Sequence, residues 1–161
     1  MKFNINEIFD IAINIEKSGY TFYSKAAEVL PEFSDFFTFL ANEEIKHDVV
    51  FTGIKKESVS DDSQSDVWDP DEMISVYFES LADSAIFNKE EQVNELFSGT
   101  NTIGEVIDWA LKREHDTILF FIGLKSTLDT EEDKLIVEKI ISEEINHVHI
   151  LMNKKSEIEI K

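Results

Sequence analysis

The chain has 161 residues, no cysteine and a formal net charge of −19, which excludes disulfides, thiolate metal sites, iron–sulfur clusters and cysteine nucleophiles. The negative charge also sets it against nucleic acid and anionic membrane surfaces, neither of which is expected as a partner. Hydrophobic residues make up 42%, with only 5 Gly and 2 Pro, a composition for one helical domain over residues 1–161 rather than many short strands.

In chain order, a first long helix is expected from about Asn6 to Val29, with Asn4 and Glu7 as a capping pair and Pro31 after its end. A second is expected from Glu32 or Ser34 to Lys56. Ser58 to Asp69 is rich in Ser and Asp and reads as a solvated loop. Asp69-Pro70-Asp71-Glu72 then opens a shorter helix, roughly Asp71 to Phe87. Asn88 to Gly99 is an acidic connector with room for one helical turn. Thr102-Ile103-Gly104-Glu105 is a capping box that starts the third long helix, to about Lys125. Asp129 with Glu132 starts the fourth, which is expected to end near Lys154-Lys155. Two tight helical hairpins joined by a long crossover carrying a short helix describe an all-α four-helix bundle. Asn4, Asn6, Glu7 and Asp10 interrupt any apolar leader, and no apolar run reaches membrane-spanning length, so a cytoplasmic location is expected.

Chemistry enters through a repeat. Glu-Glu-Ile-x-His occurs at Glu43–His47 and again at Glu143–His147. Each copy follows an Ala-x-x-x-Glu step, Ala12 to Glu16 and Ala110 to Glu114. The spacing is nearly constant, with 114 − 16 = 98 and 144 − 44 = 100. Glu16, Glu44, Glu114 and Glu144 each fall on the apolar stripe of their helix, where a surface acid would not be found. A lone carboxylate in an apolar core is costly to ionise, and those stripes contain no Lys or Arg to pair with it. In a helix, three residues turn about 300° and rise about 4.5 Å, so Glu44 and His47, like Glu144 and His147, can serve one cation. Mixed oxygen and nitrogen donors suit two iron ions, with manganese or zinc as alternatives. Tyr23 lies two turns after Glu16 on the same face; a core tyrosine needs a hydrogen-bond partner, and a ligand carboxylate would supply one, which makes Tyr23 the candidate catalytic residue. His115 and His149 read as ordinary exposed or boundary histidines, and Glu79 and Asp83 as solvated charges.

Ile15 to Glu28 is very similar to the first helix of the rubrerythrin branch of the ferritin-like superfamily. Leu40 to His47 is similar to its second helix, and Ser142 to His147 to its fourth. The resemblance covers nearly the whole chain and is weakest between Ser58 and Gly99. It implies a ferritin-like bundle in which Glu16, Glu44, His47, Glu114, Glu144 and His147 hold two metal ions. It also implies that Glu143 and Glu43 orient His47 and His147. Two departures stand out. Without cysteine the chain has no rubredoxin module, so an external electron donor, such as a separate redox protein, is expected. Thr117 stands where rubrerythrins add a further carboxylate, which makes the set look more like the ferroxidase centre of bacterioferritins. The leading expectation is a di-iron protein, in a homodimer, that oxidises its iron with peroxide or dioxygen. The alternatives are ferritin-like iron storage, or a bundle in which the metal is only a structural staple.

Overall fold

The computed structural model describes residues 5–58, 76, 90–99 and 101–160. Four long helices dominate: α1 (Ile5–Val29), α2 (Ser34–Ser58), α4 (Ile103–Thr127) and α5 (Glu131–Glu159). A 3-10 turn, Pro31–Phe33, joins α1 to α2, and a short helix α3 (Glu90–Leu96) precedes α4. No strand occurs among the described residues. The expected loop at 59–69, the helix at 71–87 and its charges Glu79 and Asp83 lie outside them, Val76 excepted; so does the capping residue Asn4.

Helix direction follows from which residues share a core. One cluster holds Phe9 from the start of α1, Phe51 from the end of α2, Phe121 from the end of α4 and Val137 from the start of α5. The other holds Tyr23 from the end of α1, Phe37 from the start of α2, Ala110 from the first half of α4 and Leu151 from the last part of α5. Thus α1 runs antiparallel to α2 and α4, and parallel to α5. Since α2 and α4 point the same way, the chain between them must return the length of the bundle, as a crossover connection requires. α3 lies at the arrival end: Val93 and Phe97 are buried in the second cluster, and Phe97 meets Trp109 edge-on with ring centroids 5.8 Å apart.

The caps explain two boundaries. The Thr102 hydroxyl accepts from Glu105 N, and Glu105 Oε2 accepts from Thr102 N at 2.8 Å, so the expected capping box is formed. α5 starts one residue later than expected: Thr130, not Asp129, is the N-cap, and its hydroxyl accepts from Asp133 N at 3.1 Å. α5 also continues a turn past Lys154-Lys155. Those cations pair sideways instead, Lys154 with Glu157 at 2.8 Å and Lys155 with Asp108 of α4 at 2.6 Å.

Candidate metal centre

The two apolar clusters leave a gap of about one turn at mid-bundle. On α1 the apolar run breaks at Glu16, on α2 at Glu44 and His47, on α4 at Glu114, and on α5 at Glu144 and His147. All six side chains are at most 4% exposed, so a polar layer sits buried between two apolar ones. Their donor atoms form two overlapping groups. Glu16, Glu44, His47 and Glu144 offer atoms within 4.8 Å of one another, and so do Glu44, Glu114, Glu144 and His147. Glu44 and Glu144 belong to both groups.

Within this layer, His47 Nδ1 lies 2.7 Å from Glu144 Oε1 and 3.5 Å from Glu16 Oε2. His147 Nδ1 lies 2.8 Å from Glu144 Oε2 and 3.9 Å from Glu114 Oε1. The imidazoles stack with centroids 5.8 Å apart. Tyr23 donates its hydroxyl to Glu114 Oε1, linking α1 to α4. His47 Nε2, on the ring edge away from the layer, donates to Glu143 Oε2 at 2.9 Å. Glu143 thus orients His47, as expected. Glu43 pairs instead with Lys46 on its own helix, and no contact between Glu43 and His147 accompanies it.

Burial and mutual proximity shift the charge states within the layer. Burial raises the carboxyl groups of Glu16, Glu44 and Glu114 above their usual range, and the neighbouring acids push Glu44 further the same way. Burial acts against a charged His47, but the carboxylates of Glu144 and Glu16 outweigh it and hold the imidazolium up to about 11. Glu144 would also be raised by burial; His147 and His47 hold it well below the usual range instead. Burial, with Glu114 and Glu44 nearby, raises Tyr23 well above an ordinary phenol, so its hydroxyl keeps its proton.

Whether these residues fit a metal pair is tested by the atoms left over. Both oxygens of Glu16, Glu144 Oε1 and His47 Nδ1 are buried and have no aligned hydrogen-bond partner, although His47 Nδ1 and Glu144 Oε1 approach closely. Buried polar atoms of native proteins are rarely orphaned. Four such atoms turned into one layer of carboxylates and imidazoles fit cations of the iron, manganese or zinc type.

The sequence model of the rubrerythrin family matches residues 7–155. The chain belongs to the rubrerythrin family. A solved structure similar to it over 98% of this chain and 97% of the other comes from Thermotoga maritima, with 25% identity and a TM-score of 0.78. That protein is assigned to the ferritin-like diiron-carboxylate class. No curated protein matches the chain. The bundle is therefore a ferritin-like diiron-carboxylate fold, as the duplicated motif implied. No helix among the described residues is long and apolar enough to cross a membrane.

One buried charge escaped the sequence reading. Arg113, next to Glu114 and 4% exposed, reaches from α4 to Ser18 Oγ at 3.2 Å and the Ile15 carbonyl at 3.5 Å, with its guanidinium 5.5 Å from the Phe22 ring centre. The apolar core of this rubrerythrin-family chain is thus not free of cations. Arg113 lies outside both donor groups and favours the charged form of Glu114, while Tyr23 completes that carboxylate's surroundings. His115 and His149 are exposed, and His149 Nε2 is 3.1 Å from Asn153 Nδ2.

The Glu143 contact yields a measurable expectation. Glu143→Gln removes the charge that fixes the His47 ring while leaving a hydrogen-bonding group in place. Losing such an orienting partner should weaken metal binding roughly 10- to 100-fold. Calorimetric titration with ferrous ion under anaerobic conditions reads it; unchanged affinity would show that His47 needs no such support.

Proposed function

We propose that the chain binds two iron ions between Glu16, Glu44, His47, Glu114, Glu144 and His147 and oxidises them with peroxide or dioxygen. The observation that carries this reading is the sharing of Glu44 and Glu144 between the two donor groups, which supports two cation positions side by side. Bound as a pair, the ions supply two electrons, the number needed to convert hydrogen peroxide and two protons to two waters.

The protein's own contribution is placement and exclusion. Glu16 with His47 would hold one ion and Glu114 with His147 the other, with Glu44 and Glu144 within reach of both. The Tyr23 hydroxyl holds a proton at Glu114 Oε1 and fixes the orientation of that carboxylate. The aromatic layers on both sides keep bulk water out.

Access supports a small oxidant. A cleft of about 60 Å³ lies between α1 and α2, lined by Glu16, Lys17, Tyr20, Glu44, Ile45 and Asp48. Organic ligands occupy pockets of roughly 300–1,000 Å³. The cleft suits water, peroxide, dioxygen or a single ion. Electrons to restore the ferrous pair would come from an external donor, since these 161 residues contain no cysteine to form a thiolate redox centre.

Anaerobic loading with ferrous ion, then stopped-flow mixing with peroxide, tests the reading. Two irons per chain should oxidise much faster than free ferrous ion, and repeatedly when an external reductant is supplied. Two bound irons that react no faster than free ion would leave the metals as a structural staple.

A further inference from the structure

Gly19 lies well inside α1, between Glu16 and Tyr23, where a glycine weakens a helix relative to alanine. Its surroundings give a reason for that cost. A Cβ built at Gly19 would stand 2.5 Å from Glu44 Oε2, 2.6 Å from Glu44 Cδ and 3.0 Å from Glu44 Oε1. The nearest atoms all belong to the Glu44 carboxylate. None of these three is backbone or an apolar side chain, so a methyl would meet the Glu44 carboxylate first. Gly53 of α2 provides the contrast, with nothing within 4 Å of its built Cβ.

We infer that Gly19 is a positioning residue of the two-metal site: its lack of a side chain is the cradle that lets Glu44 lie across both donor groups. This rests on the two-metal reading above. Glu44 is the side chain most sensitive to such a displacement, because it is one of the two acids shared by both groups. A methyl at position 19 would turn the carboxylate out of the layer. The cleft between α1 and α2, which Glu44 itself lines, gives it somewhere to go. The fold then survives and the site does not. The effects on stability and on metal binding therefore have opposite signs, which a merely structural glycine would not produce.

The test compares Gly19→Ala, Gly53→Ala and wild type, each stripped of metal and then titrated with cobalt(II). Calorimetry reads affinity and stoichiometry, visible absorption reads the coordination, and melting of the stripped proteins reads stability. Gly19→Ala should bind cobalt roughly 10- to 100-fold more weakly, the range seen when groups that orient a ligand are lost. Its stripped form should melt no lower than wild type, and up to about 2–4 °C higher from helix propensity. Gly53→Ala should bind cobalt as wild type does. Wild-type affinity and spectrum in Gly19→Ala would overturn the inference. So would a stripped Gly19→Ala protein that melts below wild type or does not fold, since the glycine would then be serving packing. Wild type that takes up no pair of cobalt ions would instead refute the two-metal reading itself, and the role of Gly19 would fall with it.

Discussion

Stripping the metal should lower the melting temperature on the order of 20 °C at neutral pH. A ligand that binds only the folded state at 1,000 times its dissociation constant stabilises by about 4 kcal/mol per site. A chain of this size shifts by about 2–4 °C per kcal/mol, and two sites are involved. The pH dependence of the stripped protein has a sign that can be worked out. Glu16, Glu44 and Glu114 have folded values above the ordinary 4.5, so the folded state holds protons that the unfolded chain gives up. Their effect is to remove stability as pH rises above about 4.5. His47, raised to about 11 from 6.5, adds stability that is complete below 6.5 and is lost as pH climbs through 11. Glu144 is depressed, so its contribution is present above 4.5 and fades as pH falls below it. The stripped protein should therefore be most stable near pH 4.5 and weaken towards neutrality. The loaded protein should do the reverse, because binding displaces the shared protons and acid releases the metal. Scanning calorimetry of both forms from pH 4 to 9 measures this. Equal melting temperatures at pH 7 would refute it.

Much of this was legible because the constraint is local. A helix-period stripe interrupted by acids, twice, at nearly constant spacing, leaves few arrangements in which those acids are satisfied. The bundle brings together the same six residues, and Tyr23 finds its carboxylate partner in Glu114. The direction of the hairpins followed from short turns, and the crossover from a long connection.

What escaped notice depends on partners far away in sequence or on choices between near-equal local signals. Asp129 with Glu132 and Thr130 with Asp133 are the same capping pattern displaced by one residue, and only the folded helix selects Thr130. Lys154 and Lys155 suited a helix end, but Asp108 and Glu157 take them up and α5 runs on. Arg113 is polar by type and buried by circumstance: Ser18, the Ile15 carbonyl and Phe22 receive it from another helix. The duplicated motif also suggested a symmetry that the contacts do not keep, since Glu143 supports His47 while Glu43 turns to Lys46. Gly19 carried no signal at all in one dimension, because its role is set by a carboxylate from α2.

Changing His47 or His147 to Ala should abolish most of the peroxide-driven oxidation of bound ferrous ion, whereas His115→Ala and His149→Ala should be nearly silent. His47 and His147 are buried with their Nδ1 atoms turned into the carboxylate layer. His115 and His149 sit on the exposed faces of α4 and α5. Removing a donor should cost at least as much as removing a group that merely orients one, roughly 100-fold in rate or affinity. Both halves of the site should matter about equally, because the proposed reaction needs two electrons and Glu44 and Glu144 belong to both donor groups. The fold should survive: taking out an imidazole also leaves room for the remaining acids to share protons. Far-UV circular dichroism verifies the helices, and stopped-flow absorbance after mixing with peroxide follows ferric formation. A normal rate in His147→Ala would detach His147 from the chemistry. A large loss in His149→Ala with none in His147→Ala would mean that the face of α5 turned to solvent carries the function.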